Sequence, residues 1–187
     1  MQTRAERTRE ALVRATAELI ADGRPSEAGL VNICRRAGVS RGALYHHYSS
    51  IGELTATVRE QARRRLVHVV DEAFEGTAAD APERFFVALG EALRSETVVR
   101  AGMRIAADGS TGQLRLRDEL LASVRERVAG VHEDTGLPAG AADLVLAVAT
   151  GIEALGHTDP RWWERETLER LSGLLRPLFA PAGQGPD

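Results

Sequence analysis

Residues 40–47 (S-R-G-A-L-Y-H-H) combine side chains that can bind a polyanion. The Arg41 guanidinium matches the two acceptors on the edge of a guanine, and it can equally pair with a phosphate. Tyr45 and His47 can donate hydrogen bonds to phosphates, and the Tyr45 ring can pack against a sugar or a thymine methyl. The segment contains no acidic residue. This composition is typical of a helix that enters a groove of DNA.

A bent pair of short helices must position this segment, and the sequence around it meets the requirements of such a pair. Cys34 is small enough for the helix crossing, Gly38 can adopt the positive φ that starts a tight turn, and Ser40 can cap the second helix. The apolar residues expected to point into the angle between the helices are Ile33, Val39 and Leu44. An ordinary surface helical hairpin is the alternative, and the coincidence of these constraints disfavours it.

The second helix of this pair and its cap supply the predicted DNA contacts from their outward side. These residues are Ser40, Arg41, Gly42, Ala43, Tyr45, His46 and His47. Gly42 permits a close approach of the backbone. Tyr48 occupies an inward position at helical spacing and is expected to anchor the core. Adjacent histidines point to different sides of a helix, so His46 and His47 are not expected to share a metal ion.

The charge of the chain is unevenly distributed. The chain has 187 residues and a net charge of −3, and Arg supplies all 24 basic residues. Residues 1–50 hold 8 Arg and 5 acidic residues, whereas residues 51–187 hold 16 Arg and 22 acidic residues. This balance excludes a protein coated in positive charge, yet it leaves an N-terminal part that can face a polyanion. The run Arg63-Arg64-Arg65 is expected to form a solvated face.

The spacing of apolar residues is helical almost throughout, and the β-branched runs that mark strands are missing. Glycine and proline divide this pattern into about nine helices, which predicts an all-α fold. The first helix is expected over 7–20, the fourth from a Ser50 cap to about 74, and the sixth from 97 to 107. The seventh is expected over 114–131, and the ninth carries Trp163 and continues to Leu178.

No set of residues frames a catalytic site. Ser/His/Asp and Cys/His arrangements, a P-loop and a dinucleotide loop are all missing. Cys34 is the single cysteine, which excludes an intrachain disulfide and a four-thiolate zinc site. His132, His157 and Asp159 do not have the spacing of a metal motif. We therefore expect no enzyme, no metal and no other cofactor; a helical-bundle enzyme is the least favoured alternative.

Apolar runs long enough to span a membrane are missing, and residues 1–10 lack the apolar stretch of a signal peptide. The sequence therefore predicts a cytoplasmic protein with no membrane partner. The segment 181–187 (P-A-G-Q-G-P-D) is expected to be a disordered tail.

The run A-G-V-S-R-G-A-L-Y-H-H-Y from Ala37 to Tyr48 resembles the signature of TetR-family transcriptional repressors. The run V-R-A-G-M-R-I-A over 99–106, taken with G-A-L-Y-H-H-Y, is similar to the γ-butyrolactone-receptor branch of that family. The resemblance implies a three-helix helix-turn-helix domain over 1–50 and a larger ligand-binding and dimerisation bundle over 51–180. It further implies a homodimer that binds a palindromic double-stranded DNA operator and is released by a small apolar or amphipathic effector.

The resemblance also favours an apolar pocket in the bundle, although the same side chains can pack solidly. The candidate ligand-binding residues are Phe85, Phe86, Leu89, Met103, Val128, His132, Val148, Thr150 and Ile152, with Arg100 as a further polar group. Dimerisation through the last two helices is expected to use Leu144, Val148, Leu155, Leu168, Leu171 and Leu175.

Three features depart from the family pattern. At the start of the second helix of the chain, Ala28-Gly29 replace the usual Thr or Ser. At the start of the fourth helix, Ser50-Ile51-Gly52 replace a Ser-Lys-Glu run. The butyrolactone receptors carry a pocket Trp in the seventh helix. This chain lacks it, because its first Trp is Trp162. Losing two phosphate contacts weakens DNA binding and flattens its salt dependence. The alternative function is therefore a TetR-fold module that binds a ligand or a protein, with weak or lost DNA affinity.

Overall fold

The structure, a computed structural model, describes residues 3–23, 29–75, 80–105, 115–135, 137–138 and 140–179, and over 131–135 it describes the backbone alone. These residues form nine α-helices and no strand, which confirms the all-α expectation. The helices are α1 (Arg4–Ala21), α2 (Leu30–Ala37), α3 (Arg41–His47), α4 (Ile51–Phe74), α5 (Ala81–Ser95), α6 (Thr97–Arg104), α7 (Leu116–Thr135), α8 (Ala141–Gly156) and α9 (Arg165–Leu175). Two 3-10 turns flank α9, at Pro160–Trp163 and at Arg176–Phe179.

Local hydrogen bonds explain where several helices begin. α1 starts at Arg4, three residues before the expected start, because Thr3 and Glu6 form a reciprocal capping box. The Glu6 N–H donates to Thr3 Oγ1 at 3.2 Å, and the Thr3 N–H donates to Glu6 Oε2 at 2.6 Å. The predicted Ser50 cap of α4 is confirmed, since the Glu53 N–H donates to Ser50 Oγ at 3.1 Å.

Three helix ends differ from the sequence expectation. α6 ends at Arg104, α7 continues to Thr135, and the ninth helix begins only at Arg165. Trp163 therefore lies in a 3-10 turn, because Pro160 starts that turn and Asp159 Oδ1 accepts the Arg161 N–H at 3.1 Å. The segments 106–114 and 180–187, which include the expected tail, lie outside the described residues.

The chain divides into two compact units. The first unit comprises 1–65 and 97–116, and the second comprises 66–96 and 117–187. Within the first unit, α1 packs against α2, α3 and α6, and the core includes Leu12, Ile33, Leu44, Leu54 and Val58. The expected functional boundary at residue 50 remains a prediction.

The second unit is built around α5, which packs against α8, α9 and the turn Pro160–Trp163. Gly90 of α5 allows a close approach, because a Cβ there would overlap Leu168 Cδ1. Gly156 of α8 likewise lies under the Trp163 indole, whose Nε1–H donates to the Ile152 carbonyl at 3.0 Å. Burial of these large side chains is the main favourable contribution to folding of the unit.

Candidate nucleic-acid interface

The turn between α2 and α3 has the geometry that the sequence predicts. Gly38 adopts the left-handed conformation, with φ 67° and ψ 32°. The Val39 N–H donates to the Cys34 carbonyl at 3.0 Å, which ends α2. Ile33 and Leu44 are fully buried, and Val39 is half-buried, so apolar side chains fill the angle between the helices.

Ser40 caps α3 as expected. Its Oγ accepts the Ala43 N–H at 3.1 Å, and its backbone is extended, with φ −74° and ψ 159°. The N–H groups of the first turn of a helix give that end a partial positive charge. Together with Arg41 at the first helical position, this end of α3 favours an anionic partner.

The two sides of α3 differ sharply in exposure. Leu44 is fully buried and Tyr48 is 2% exposed, whereas Tyr45 is 56% exposed. The remaining candidates divide into exposed residues (Ser40, Arg41, Gly42 and His46) and half-buried residues (Ala43 and His47). α3 has no acidic residue. The structure therefore brings all seven candidates together on one short helix and its cap, and their contacts with DNA remain a prediction.

The His46 and His47 rings contact each other edge to face, with centroids 5.2 Å apart and planes at 78°. Within the described residues, no group of three His, Cys, Asp or Glu side chains is arranged to hold a metal ion.

Gly42 has room for a side chain within the protomer. A Cβ built on it would meet only Ser40 Oγ, at 3.8 Å, which is an ordinary van der Waals contact. The fold therefore does not require glycine at this exposed helical position. An approaching partner can require it, because the missing side chain exposes the backbone of α3.

Tyr48 anchors α3 to the first unit, as the sequence predicts. Its N–H donates to the Leu44 carbonyl at 2.9 Å, and the Arg9 guanidinium carbon lies 5.7 Å from its ring centroid. The buried Tyr48 hydroxyl has no hydrogen-bond partner among the described residues. Tyr48 thus joins α3 to α1 mainly through apolar and cation–π contacts.

An ion pair that the sequence analysis missed holds α2 against α1. Arg36 Nε donates to Glu18 Oε2 at 2.6 Å, and Arg36 Nη2 lies 3.8 Å from Asp22 Oδ2. The hydrogen bond that Arg36 donates to Glu18 raises the pKa of Arg36 above its ordinary value. The partners are 18 residues apart, and no local pattern signals such a pair.

A second missed group is the carboxylate of Glu53 at the start of α4. Glu53 Oε2 accepts hydrogen bonds from Ser49 Oγ at 2.8 Å and from the Ser49 N–H at 2.7 Å. These bonds, and the nearby charge of Arg9, lower the pKa of Glu53 below its ordinary value. The capping pattern S-x-x-E over 50–53 is the signal that could have revealed it.

The basic run of α4 pairs with an acid on its own helix. Arg63 Nε donates to Glu60 Oε2 at 2.7 Å, and Arg64 Nη1 donates to Glu60 Oε1 at 3.2 Å. The bond from Arg63 lowers the pKa of Glu60. Pairing of this kind is typical of a solvated helix face.

The residues expected to bind a ligand divide between the two units. Phe85, Phe86, Leu89, Val128 and Ile152 are buried in the second unit, where Val148 and Thr150 are half-buried. Met103 and Arg100 belong to the first unit, and the side chain of His132 lies outside the described part. The Thr150 hydroxyl donates to the Leu146 carbonyl at 2.8 Å. The ligand-binding role of these residues remains a prediction.

A buried polar cluster in the second unit was also missed. Glu153 is 2% exposed, with Arg117 Nη2 2.5 Å from its Oε2 and His157 Nε2 3.2 Å from its Oε1. The His157 ring also contacts the Trp163 ring edge to face, at a centroid distance of 5.2 Å. Glu153 lies among apolar residues in the second half of α8, and this position was the available signal, because a buried carboxylate requires a partner.

The leucines expected at a dimer interface have different exposures. Leu155 is exposed, and Leu144, Val148, Leu171 and Leu175 are half-buried. Leu168 is fully buried against α5, so it is withdrawn from the candidate interface. Leu174 and Leu178, which were not among the predicted interface residues, are 74% and 55% exposed.

The fold and the capped, acid-free α3 define a helix-turn-helix protein. Residues 12–58 match the family model described as "Bacterial regulatory proteins, tetR family". The match covers about a quarter of the chain, the part that contains α2, α3 and the turn between them.

Three relatives extend the comparison. The A-factor receptor protein of Streptomyces griseus is 26% identical over 164 residues, which cover 84% of this chain and 58% of that protein. A crystal structure of a gamma-butyrolactone receptor (ArpA-like protein) has a TM-score of 0.68 at 24% identity, covering 95% of this chain and 98% of that one. CprB from Streptomyces coelicolor, in complex with its biological operator sequence, has a TM-score of 0.74 at 22% identity, covering 96% and 92%.

These relatives are regulators and receptors, in agreement with the expectation that the chain is not an enzyme. The likeness to the A-factor receptor confirms the resemblance to the γ-butyrolactone-receptor branch. The chain spans little more than half the length of that receptor. Within the described residues, every helix is too short or too polar to cross a membrane.

Proposed function

We propose that this protein is a repressor that binds a palindromic operator as a homodimer and is released by a small apolar or amphipathic ligand. The N-terminal domain supplies DNA binding, and the helical bundle supplies the ligand site and the dimer interface. This proposal agrees with the family model that residues 12–58 match and with the operator complex described for CprB.

The exposure pattern of α3 is the observation that carries the proposal. The buried side chains of Leu44 and Tyr48 anchor α3 to the core. The opposite side of the helix presents Arg41, Gly42 and Tyr45 to solvent. A helix in the major groove needs donors for phosphates and base edges, and it needs no nearby acid that repels phosphate. The α3 surface meets both conditions.

Dimerisation is supported by exposed leucines near the carboxyl end of the chain. Leu155, Leu174 and Leu178 expose about half or more of their surfaces. Apolar side chains of this kind lose their contact with water when a second copy covers them. A twofold dimer then sets its recognition helices about 34–36 Å apart, one turn of B-DNA, so that both contact one duplex.

Release requires that the ligand prefer one conformation of the dimer. A ligand shifts the equilibrium only by its difference in affinity between the DNA-binding state and the released state. The buried aromatic side chains of the second unit, Phe85 and Phe86, supply apolar surface for such a ligand. The relatives that are named as receptors support a diffusible small molecule as the effector.

Binding to the DNA that flanks the coding region tests the proposal. An inverted repeat in that DNA is labelled, and the anisotropy is titrated with protein at several salt concentrations. We expect specific binding with a logarithmic salt slope of several units, and much weaker binding to a scrambled repeat of equal length. Equal affinity for both duplexes would contradict sequence-specific repression.

The alternative function, a ligand- or protein-binding module with weak DNA affinity, is favoured by one observation. Gly29 caps α2 without a side-chain hydrogen bond, and Ile51, which stands where the family run has Lys, is half-buried and carries no cation. Both positions lack a group for a phosphate. Binding that is weak at low salt and insensitive to added salt would favour this alternative.

A further inference from the structure

Val31 is an exposed apolar side chain on the first helix of the helix-turn-helix. It is the second residue of α2, and 55% of its surface is exposed. Within the described part of the first unit, Tyr45 of α3 is the only other large apolar side chain with more than half of its surface exposed. The apolar surface that this unit leaves in water is therefore concentrated on the two helices of the helix-turn-helix.

The contacts of α2 determine the side on which Val31 lies. Ile33 and Cys34 are buried in the core of the first unit. Arg36 points to α1, where its Nε donates to Glu18 Oε2 at 2.6 Å. Successive residues of an α-helix are about 100° apart, so Val31 lies about 140° around the axis from Arg36. Val31 therefore faces solvent on a side of α2 that is turned away from α1.

The surroundings of Val31 suit DNA as its partner. Residues 30–47, which comprise α2, the turn and α3, contain three Arg and no acidic residue, so no negative charge of this segment repels phosphate. When the second helix of such a pair enters the major groove, the first helix crosses the adjacent DNA backbone. The apolar group that the major groove presents is the 5-methyl group of thymine. An exposed valine that is continuous with the α3 surface matches this group.

We propose that Val31 packs against the 5-methyl group of a thymine in each operator half-site, so that α2 reads base sequence in addition to α3. This inference rests on the proposed function, and it adds a specificity residue to the α3 contacts. The valine side chain has no hydrogen-bonding group, so it distinguishes thymine from an unmethylated pyrimidine only by burial of apolar surface. Burial of one methyl group changes the affinity about fourfold.

Deoxyuridine in place of thymine isolates this contact, because it removes the methyl group and keeps the base pair. The probe is the inverted repeat from the DNA that flanks the coding region, with the thymines of one half-site replaced one at a time. Anisotropy titrations measure the affinity of the full chain. We expect one thymine at which the replacement weakens binding of the parent chain about fourfold and leaves binding of Val31→Ala unchanged.

Val31→Ala is expected to weaken binding to the unmodified repeat about fourfold for each half-site, with the same salt slope as the parent chain, because no charge changes. Val67→Ala is the matched control. Val67 is 45% exposed on α4 in the second unit, and this variant should keep both the parent affinity and the parent response to deoxyuridine. Thermal melting checks that both variants fold, and sedimentation checks their oligomeric state.

Three results overturn the inference and leave the proposed function intact: specific binding of the repeat that no deoxyuridine replacement weakens, a Val31→Ala variant that binds as tightly as the parent chain, or a Val31→Ala variant with the same response to every replacement. A changed oligomeric state of Val31→Ala without DNA assigns Val31 to a contact between copies, and it also overturns the inference. Equal affinity of the parent chain for the repeat and for a scrambled duplex rejects the proposed function, and the inference with it.

Discussion

Gly102 of α6 lies directly against Ala62 of α4, so close that a Cβ on Gly102 would overlap the Ala62 Cβ. The same Cβ would lie 3.0 Å from Leu116 Cδ2. Glycine at this position, inside the run V-R-A-G-M-R-I-A, therefore allows two helices of the first unit to pack at close range.

Gly102→Val is expected to destabilise the first unit by about 1–3 kcal/mol, because an overpacked crossing must separate α4 from α6. Urea denaturation followed by circular dichroism measures the change. Gly130→Ala is the control, since a Cβ on Gly130 meets nothing within 4 Å, and it should stabilise α7 by less than about 1 kcal/mol. Equal midpoints for Gly102→Val and the parent chain would disprove the close crossing.

Arg41→Ala is expected to weaken operator binding by about 1–3 kcal/mol, because it removes a base-reading or phosphate-binding guanidinium from α3. Anisotropy titrations measure the affinity, and sedimentation is expected to give the same oligomeric state as the parent chain. Arg115 is exposed and is not among the predicted DNA contacts, so Arg115→Ala should bind the operator as tightly as the parent chain does. Unchanged affinity in Arg41→Ala would show that the docking surface is wrong.

Gly42→Ala separates folding from recognition at one position. Alanine is the better helix former, and a Cβ at Gly42 has room, so the variant should be more stable by up to about 1 kcal/mol. If the α3 backbone approaches DNA closely, the same methyl group should reduce operator affinity. A variant that is more stable and binds equally well would exclude close backbone approach at Gly42.

The carboxylate of Glu53 should make stability depend on pH in the acidic range. Its pKa is lowered in the folded state, mainly by the Ser49 hydroxyl, so the stabilisation is complete above the unfolded pKa and is lost as the pH falls through the folded pKa. Glu53→Gln should therefore melt below the parent chain at neutral pH, and the two curves should converge in acid. A constant difference in melting temperature across the series would contradict a titrating contribution from Glu53.

Leu174→Asp is expected to produce monomers, because it places a charge at the most exposed leucine of the candidate interface. Analytical ultracentrifugation measures the mass. Val67→Asp, at an exposed apolar position of α4, is the matched control and should remain a dimer. The substitution lies on the surface of the protomer, so unfolding is not the expected cause of dissociation. A sedimenting dimer of Leu174→Asp would exclude this surface.

The sequence alone determined the local geometry of the helix-turn-helix. The positive φ of Gly38, the Ser40 cap, the burial of Leu44 and Tyr48 and the exposure of Tyr45 all follow from rules that act within a few residues. Backbone sterics and helical periodicity are properties of a segment, so they can be derived without knowing its neighbours.

Only the tertiary structure decided which distant elements meet. The Arg36–Glu18 pair, the overlap of Gly102 with Ala62 and the burial of Glu153 beside Arg117 depend on how separate helices pack. Leu168 makes the reason plain. Its spacing marks it as inward-facing on a helix, but the same pattern serves a core contact with α5 and a contact with a second copy. Hydrophobic periodicity shows that a helix face is covered. Three-dimensional packing decides whether another helix of the same chain or a second copy covers it.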